Sequence, residues 1–465
     1  MDVHISLGGR GDLAAQVYRQ LLDAILDGRL RSGERLPPTR ELASRLEISR
    51  NTVALAYDRL VADGFLVGRA GAGTFVSAEP VRGRAAPKGV VRPRAVWRQI
   101  EEPRPVPPVA YDFRVGVPDP RLFPMETWRR LVARELRVSA AGYGEPSGYA
   151  PLREAISRHI GISRSVHAGP DDVLITNGAQ QALDLVGRVL IEPGACVAVE
   201  EPGYPPAREL FRSLGARVAG VPVDAEGLVV EAIPGSARIV YVTPSHQFPL
   251  GTPMSLARRA ALLAWAERRN AVVIEDDYDS EFRFGERPLE PLQSLDRAGR
   301  VIYVGSFSKT LLPMLRLGFL VAPASLGPAL RAAKRLSDWH GELPTQAALA
   351  RFIDEGLLAR HIRKATREYA ARHALIAETL AGDDRLDLIP STAGLHLCAR
   401  LCPGVSVRPM PGLAVERLEA YCGENPAQPG IVLGYGAITQ EAIPGGLRQL
   451  RSGMSAGPEP ARPLP

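Results

Sequence analysis

"VVIEDDYDSEFR", residues 272–283, begins with three apolar β-branched residues and ends in a cluster of carboxylates around one tyrosine. A short apolar run of this kind reads as a buried strand. Acids at its carboxyl end stand where open α/β sheets bind their ligands. Three more runs share the pattern: CVAVE at 196–200, ARIVYV at 237–242 and VIYVG at 301–305. Helical segments such as SLARRAALLAWAERR, 255–269, alternate with them. That alternation predicts an α/β body, a mostly parallel sheet covered by helices, beginning near residue 111.

Past the last of these strands, VGSFSKTLLPMLRLG (304–318) sets Lys309 beside the hydroxyls of Ser306 and Ser308, with Arg316 seven residues on. ITNGAQQALDL (175–185) predicts a strand, a turn at Gly178 and a helix. The free N–H groups of that helix, at Gly178, Ala179 and Gln180, suit an anion. EEPGYPPAREL (200–210) offers Tyr204 on a Pro/Gly-shaped loop, fit to stack on a flat ring. Asp276 suits a protonated pyridine nitrogen and Tyr278 a phenolate oxygen. Singly, each has an ordinary alternative: a structural acid pair, a packed tyrosine, a solvated lysine. Together they describe a site for pyridoxal 5′-phosphate. Its aldehyde needs a neutral lysine amine, which partial desolvation and the Arg316 charge favour.

The whole chain bounds these readings. At 465 residues, 45% hydrophobic and 23% charged, it has room for two or three domains. No basic-then-apolar leader and no uninterrupted apolar run of spanning length occurs, so the expectation is a cytoplasmic protein. Cys196, Cys398, Cys402 and Cys422 are too few for a disulfide framework and lack metal-ligand pairing, so no metal is expected. The net charge of +6 is not evenly spread: residues 1–80 hold ten arginines against ten acids, and residues 81–110 hold seven basic residues against two acids. That second stretch also carries six prolines, which predicts a stiff, exposed connector. The expected organisation is a small body at 11–77, a linker at 78–110, the large body at 111–452, and a disordered Pro/Gly/Ala-rich tail at 453–465.

In the small body, Leu13, Val17, Leu21, Leu22 and Ile25 give one helix a buried face ending near Gly28. Pro37 and Pro38 break the chain, Thr39 is the expected cap of a short helix ending before Glu47, and a second helix runs over about 50–63. Two helices joined by a three-residue turn predict a helix-turn-helix. FLVGRAGAGTFV, 65–76, predicts a glycine-tipped hairpin, or wing. Ser49, Arg50, Asn51 and Thr52 then open the second helix toward base edges, while Arg40 and Arg69 suit phosphates.

This segment resembles the GntR winged-helix family, whose LP-(P/S)-(S/T)-R-x-L-A stretch stands here as Leu36-Pro37-Pro38-Thr39-Arg40-Glu41-Leu42-Ala43. The resemblance implies DNA contacts at Arg40, Arg50, Thr52 and Gly71. The neutral charge balance of residues 1–80 implies weak binding by one copy, which a dimer on two half-sites offsets. Residues 111–446 resemble fold-type I aminotransferases, and the fusion resembles the MocR group of GntR regulators. That group's TPSHQFP-x-G, EDDYDSEFR and FSK blocks appear at 243–251, 275–283 and 307–309. The implied fold adds a smaller C-terminal α+β lobe to the large sheet.

By the same resemblance Lys309 is the Schiff-base lysine, Asp276 and Tyr278 hold the ring, and Tyr204 stacks. Ala179, Gln180, Ser306, Ser308 and Arg316 bind phosphate. Tyr143 matches a tyrosine that reaches the neighbouring subunit's phosphate, implying a head-to-tail homodimer. Two departures stand out. Phe248 replaces the asparagine of N-P-x-G that meets the cofactor's phenolic oxygen, and Val432 falls where a substrate-carboxylate arginine is usual, leaving Arg114 or Arg408 as substitutes. The implied function is a transcriptional regulator in which an amine effector, or pyridoxal phosphate itself, is sensed at Lys309 and changes operator binding. The aminotransferase fold then serves sensing, with residual transamination; a working aminotransferase carrying a DNA-binding module is the competing reading.

Overall fold

Val17, Leu21, Ala24 and Ile25 line the buried side of α1 (Leu13–Leu26), whose first turn is capped by the Asp12 carboxylate accepting the Ala15 N–H at 3.1 Å. α2 (Thr39–Leu46) and α3 (Arg50–Ala62) follow, separated by Glu47, Ile48 and Ser49, with Glu47 in the left-handed conformation. Thr39 is not the cap of α2. Extended Pro38 (φ −55°, ψ 145°) occupies that position and Thr39 is the first helical residue, since the proline ring already halts the preceding chain. Ser49 does cap α3, accepting the Thr52 N–H at 3.1 Å. Val53, Ala56, Tyr57 and Leu60 pack inward, and the Tyr57 hydroxyl donates to the Pro37 carbonyl at 2.9 Å. β1 (Leu66–Arg69) and β2 (Gly73–Val76) pair antiparallel, Leu66 opposite Val76, around a tip with Gly71 at φ 74°.

The computed structural model describes residues 5–8, 12–77, 91–100, 108–136, 142–285, 290–423 and 428–456. It resolves two compact units, Met1–Arg94 and Ala95–Pro465. Most of the expected linker, residues 78–90 and 101–107, lies outside the described residues.

The second unit opens with a 3-10 turn at Ala95–Arg98. β3 (Tyr111–Asp112), α4 (Met125–Glu135), α5 (Ala150–Arg164) and β4 (Val173–Thr176) lead into α6 (Ala179–Leu190). Next come β5 (Cys196–Glu201), α7 (Pro205–Ser213), β6 (Arg217–Asp224), β7 (Gly227–Leu228) and β8 (Ala237–Val242). α8 (Leu256–Arg269), β9 (Val272–Asp277), α9 (Leu292–Leu295), β10 (Val301–Ser306) and β11 (Gly318–Val321) complete the large sheet. Its order is β4-β11-β10-β9-β8-β5-β6-β7. The four runs expected to be strands are β5, β8, β9 and β10, and all pair in parallel. β11 runs antiparallel to both its neighbours, and β7 folds back on β6. Strands β4, β5, β10 and β11 are buried along their whole length, as a sheet covered by helices on both faces requires.

α10 (Gly327–Ser337), α11 (Leu343–Asp354) and α12 (Leu357–Leu380) carry the chain to a smaller lobe. There β12 (Leu386–Leu388), β13 (His396–Leu401), β14 (Val405–Val407), β15 (Leu413–Ala414), β16 (Glu416–Arg417) and β17 (Gly430–Gly434) precede α13 (Ile443–Gly453) and β18 (Met454–Ala456). Four of these strands form an antiparallel sheet in the order β12-β13-β17-β16. Apolar residues of α12 and α13, among them Tyr369, Ile376, Leu447 and Leu450, pack with Leu397 and Ile431 of that sheet. The expected disordered tail begins too early at 453: Met454–Ala456 pair with β14 and Met454 is buried, because the Pro/Gly/Ala-rich composition sets in only afterwards. Residues 457–465 lie outside the described residues.

Cys196 and Cys398 are buried, Cys402 and Cys422 half-buried, and all four are free thiols. Among the described residues no helix is long and apolar enough to cross a membrane.

Candidate functional site

Side chains alternate along a strand, so β9 sends Glu275 and Asp277 to one face and Asp276 to the other. Glu275 accepts the backbone N–H groups of Leu292 and Gln293 at 2.9 and 3.0 Å. Asp277 is held by Arg164 at 2.8 Å and the Tyr303 hydroxyl at 2.6 Å. These two acids brace the sheet. Asp276 instead borders a cavity of about 450 Å³. Its Oδ2 accepts the Tyr241 hydroxyl at 2.8 Å, while its buried Oδ1 has no hydrogen-bond partner. Burial pushes the Asp276 carboxyl up to about 7, against the opposing Tyr241 hydrogen bond and Lys309 charge.

Lys309, just past β10, extends into the same cavity and donates from Nζ to the Gly116 carbonyl at 2.7 Å. Burial lowers its pKa, opposed by the carboxylates of Asp279 and Asp276, so the amine sheds its proton more readily than an exposed lysine. Gly116 sits at φ 77°, and a Cβ there would lie 2.7 Å from the Lys309 amine. The close approach of lysine and backbone therefore depends on glycine.

Ser306, Ser308 and Arg316 line the cavity together with Ala179 and Gln180 at the start of α6. Ser306 Oγ accepts the Ser308 N–H at 3.1 Å, and the two hydroxyls lie 3.0 Å apart. Gly178 precedes α6 at φ 79°, ψ 175° with no side-chain cap. Arg316 donates to the Asn177 carbonyl at 2.7 Å, across the same turn. Helix N–H groups, two hydroxyls and a guanidinium thus converge on one end of the cavity, an arrangement suited to a phosphate.

Phe248 forms an aromatic wall, edge-on to Tyr204 (5.6 Å between centroids), Tyr278 (5.8 Å) and Tyr421 (5.2 Å). The Tyr278 hydroxyl donates to the His246 carbonyl at 3.0 Å. His246 Nδ1 lies 3.0 Å from Asp279, its Nε2 3.1 Å from the Ser391 hydroxyl, and nearby His396 faces the Pro249 carbonyl at 3.0 Å. Those ring nitrogens are engaged in hydrogen bonds.

All the residues expected to touch a cofactor line this one cavity except Tyr143 and Gly178. Tyr143 is 85% exposed and packs against Trp339. Neither suggested substitute for the missing arginine is present at the cavity. Arg114 closes on Asp112, with Nε at 2.8 Å from Oδ1 and Nη2 on the other oxygen, and Arg408 is exposed to solvent. Val432 is fully buried in β17. Sequence reasoning overlooked Tyr241, Gly116, Glu416 and Tyr421. Tyr241 belongs to the apolar strand β8, where a lone polar residue was the available signal.

In the first unit, Arg40 and Arg50 are exposed at the N-terminal ends of α2 and α3, and Arg50 Nε reaches the Thr39 hydroxyl at 3.5 Å. Thr52 is half-buried with its hydroxyl 2.8 Å from Ser49 Oγ, and Gly71 is exposed at the wing tip. Arg69 lies over the Phe75 ring at 4.9 Å.

Residues 113–414 match the family of class I and II aminotransferases, and residues 13–76 the bacterial regulatory proteins of the gntR family. The chain is 38% identical over 462 residues to a probable rhizopine catabolism regulatory protein, MocR, of Rhizobium meliloti, covering 95% of this chain and 93% of that one. It is 32% identical to the pyridoxine biosynthesis transcriptional regulator PdxR of Corynebacterium glutamicum, covering 96% of each. Among solved structures, kynurenine aminotransferase from Pyrococcus horikoshii superposes with a TM-score of 0.68 at 28% identity, over 74% of this chain and 90% of that one.

Proposed function

The chain belongs to the MocR-like transcriptional regulators, a GntR winged helix joined to an aminotransferase-type body, and on that footing we propose that it senses a primary amine, or pyridoxal 5′-phosphate itself, at Lys309 and converts occupancy into altered operator binding. The observation that carries this reading is the partnerless, buried Oδ1 of Asp276 in the cavity that Lys309 enters. A protonated pyridine nitrogen supplies what that oxygen lacks, and its positive charge offsets the cost of burying the carboxylate. Ser306, Ser308, Arg316 and the start of α6 would hold the phosphate, and Tyr204 the ring face. Tyr278 would turn its hydroxyl toward the phenolic oxygen. When bound, the cofactor supplies an aldehyde carbon that exchanges between primary amines. Lys309 provides one of these amines, and its lowered pKa favours the nucleophilic form.

In the proposed organisation a DNA-reading head at 11–77 is tied by the 78–110 connector to a sensing body at 111–452. Arg40, Arg50, Thr52 and Gly71 meet DNA, and the working unit is a head-to-tail homodimer in the cytoplasm, with Tyr143 reaching the neighbouring phosphate. Coupling requires that ligand and DNA each favour one of two arrangements of the dimer. Footprinting the full-length protein on the promoter beside its gene, with and without cofactor and candidate amines, tests this. A footprint that none of them alters rules out the sensing role.

Lys309 and Asp276 also favour a second reading, an active aminotransferase with a DNA-binding head. Against it stand Phe248 in place of an asparagine and the buried Val432 in place of an arginine. Sustained turnover of amino donors with α-ketoglutarate would support it.

A further inference from the structure

The charged groups lining the cavity, among the described residues, are Lys309, Arg316, Asp276 and Glu416. Under the cofactor reading, on which this inference rests, three already have tasks: Arg316 the phosphate, Asp276 the ring nitrogen, Lys309 the aldehyde. Glu416 has none. It stands in β16 opposite Val432 of β17, the strand position where an arginine for a substrate carboxylate was sought. Its Oε1 accepts the Val115 N–H at 2.8 Å, one residue from the Gly116 carbonyl that holds Lys309, and its other oxygen accepts the Tyr421 hydroxyl. Its charge acts on the Lys309 amine. Nearby Arg114 attracts Glu416 electrostatically but gives its Nε and Nη2 hydrogen bonds to Asp112, so its charge is shared with that carboxylate.

The end of the pocket meant for the amine is therefore acidic. Two like charges a few ångströms apart in a partly buried site repel each other strongly. A ligand carboxylate placed beside Glu416 meets that repulsion, while the cations that line the cavity among the described residues, Lys309 and Arg316, are committed to the aldehyde and the phosphate. A second ammonium, or a hydroxyl able to donate, meets a carboxylate with free lone pairs and a neighbouring phenol. We infer that Glu416 and Tyr421 select carboxylate-free primary amines carrying a second ammonium or hydroxyl group, diamines and amino alcohols, and reject amino acids.

Two matched pairs test this on the full-length, cofactor-loaded protein: putrescine against γ-aminobutyrate, and ethanolamine against glycine. Each is titrated while the visible absorbance of the bound cofactor is followed. The carboxylate-free member of each pair should perturb the spectrum at a concentration roughly ten- to a hundred-fold lower, the range a hydrogen bond to a charged group supplies. Glu416→Gln should remove most of that gap while retaining the cofactor band. Equal or tighter binding of the carboxylated partners by the unmodified protein overturns the inference, as does a spectrum that no amine moves, or a gap undiminished in Glu416→Gln. If that variant does not fold, the comparison on the unmodified protein decides alone. Failure of the underlying cofactor reading looks different: no visible band forms before any amine is added.

Discussion

Tyr241 donates its hydroxyl to one oxygen of Asp276 at 2.8 Å and leaves the other oxygen buried and unpaired. The cofactor-free protein thus carries a carboxylate whose charge is incompletely compensated. Its pKa is raised from 3.8 to about 7, chiefly by burial. The folded state then holds this proton more tightly than the unfolded chain, so the group's cost to stability grows as pH rises from about 4 through 7 and is complete above it.

Replacing Asp276 by Asn removes that cost. Cofactor-free Asp276→Asn should be more stable than the parent at about pH 8 by on the order of a few kcal/mol, read as a higher melting temperature, with the gap closing toward pH 4. Glu200 and Glu275 are also raised to about 7 by burial, so the difference between the two proteins, not either curve alone, carries the information. With cofactor added the order should reverse, because the variant offers no anion to the ring nitrogen. A gap that stays constant across the pH range would remove Asp276 from this role.

Gly178 joins the proposed phosphate cradle to the fold. Its φ of 79° and ψ of 175° lie in a region essentially closed to other residues, and a Cβ would stand 2.8 Å from Arg316 Nη2. Gly178→Ala should cost about 1–3 kcal/mol in backbone strain and displace the guanidinium. Affinity for pyridoxal 5′-phosphate should fall, while affinity for unphosphorylated pyridoxal, measured by the same titration, should change little. Parallel losses for both would mean that Arg316 and the α6 terminus do not hold the phosphate.

Lys309→Ala separates attachment from occupancy. The variant loses the amine that can react with the aldehyde yet keeps the cradle and Asp276, so it should bind cofactor reversibly without the visible band and lose the response of operator binding to amines. A footprint that still responds to amines in this variant would place sensing elsewhere.

Much of this site was legible because its parts lie at strand ends. Apolar runs place β5, β8, β9 and β10, and period-two alternation then decides which of three consecutive acids faces the cavity. The rest was hidden for physical reasons. Glu416 and Tyr421 arrive from the C-terminal lobe, Glu416 through the pairing of β16 with β17 and Tyr421 on the 3-10 turn that follows; nothing local in the sequence encodes that meeting. The Thr39 cap misled because a hydroxyl after proline satisfies the capping rule, while Pro38 itself already supplies the extended residue. Arg114 looked free as a cation but is spent on Asp112, two residues away.

The reading head makes the last prediction. Arg50 is exposed on the first turn of α3, and its neighbour Ser49 caps that turn through the Thr52 N–H. A side chain at that position can reach a base edge only if the helix start is rigid. Arg50→Ala should therefore cost roughly 1–3 kcal/mol in operator affinity with little change on random DNA, measured at fixed salt. Ser49→Ala should act differently, lowering the unit's stability by about 1 kcal/mol through the lost cap. It should also loosen Thr52, whose hydroxyl is 2.8 Å from Ser49 Oγ. An Arg50→Ala loss of equal size on random DNA would mark the guanidinium as a phosphate contact, since phosphates carry no sequence information, and sequence reading would then fall to other residues of the α3 start or the wing.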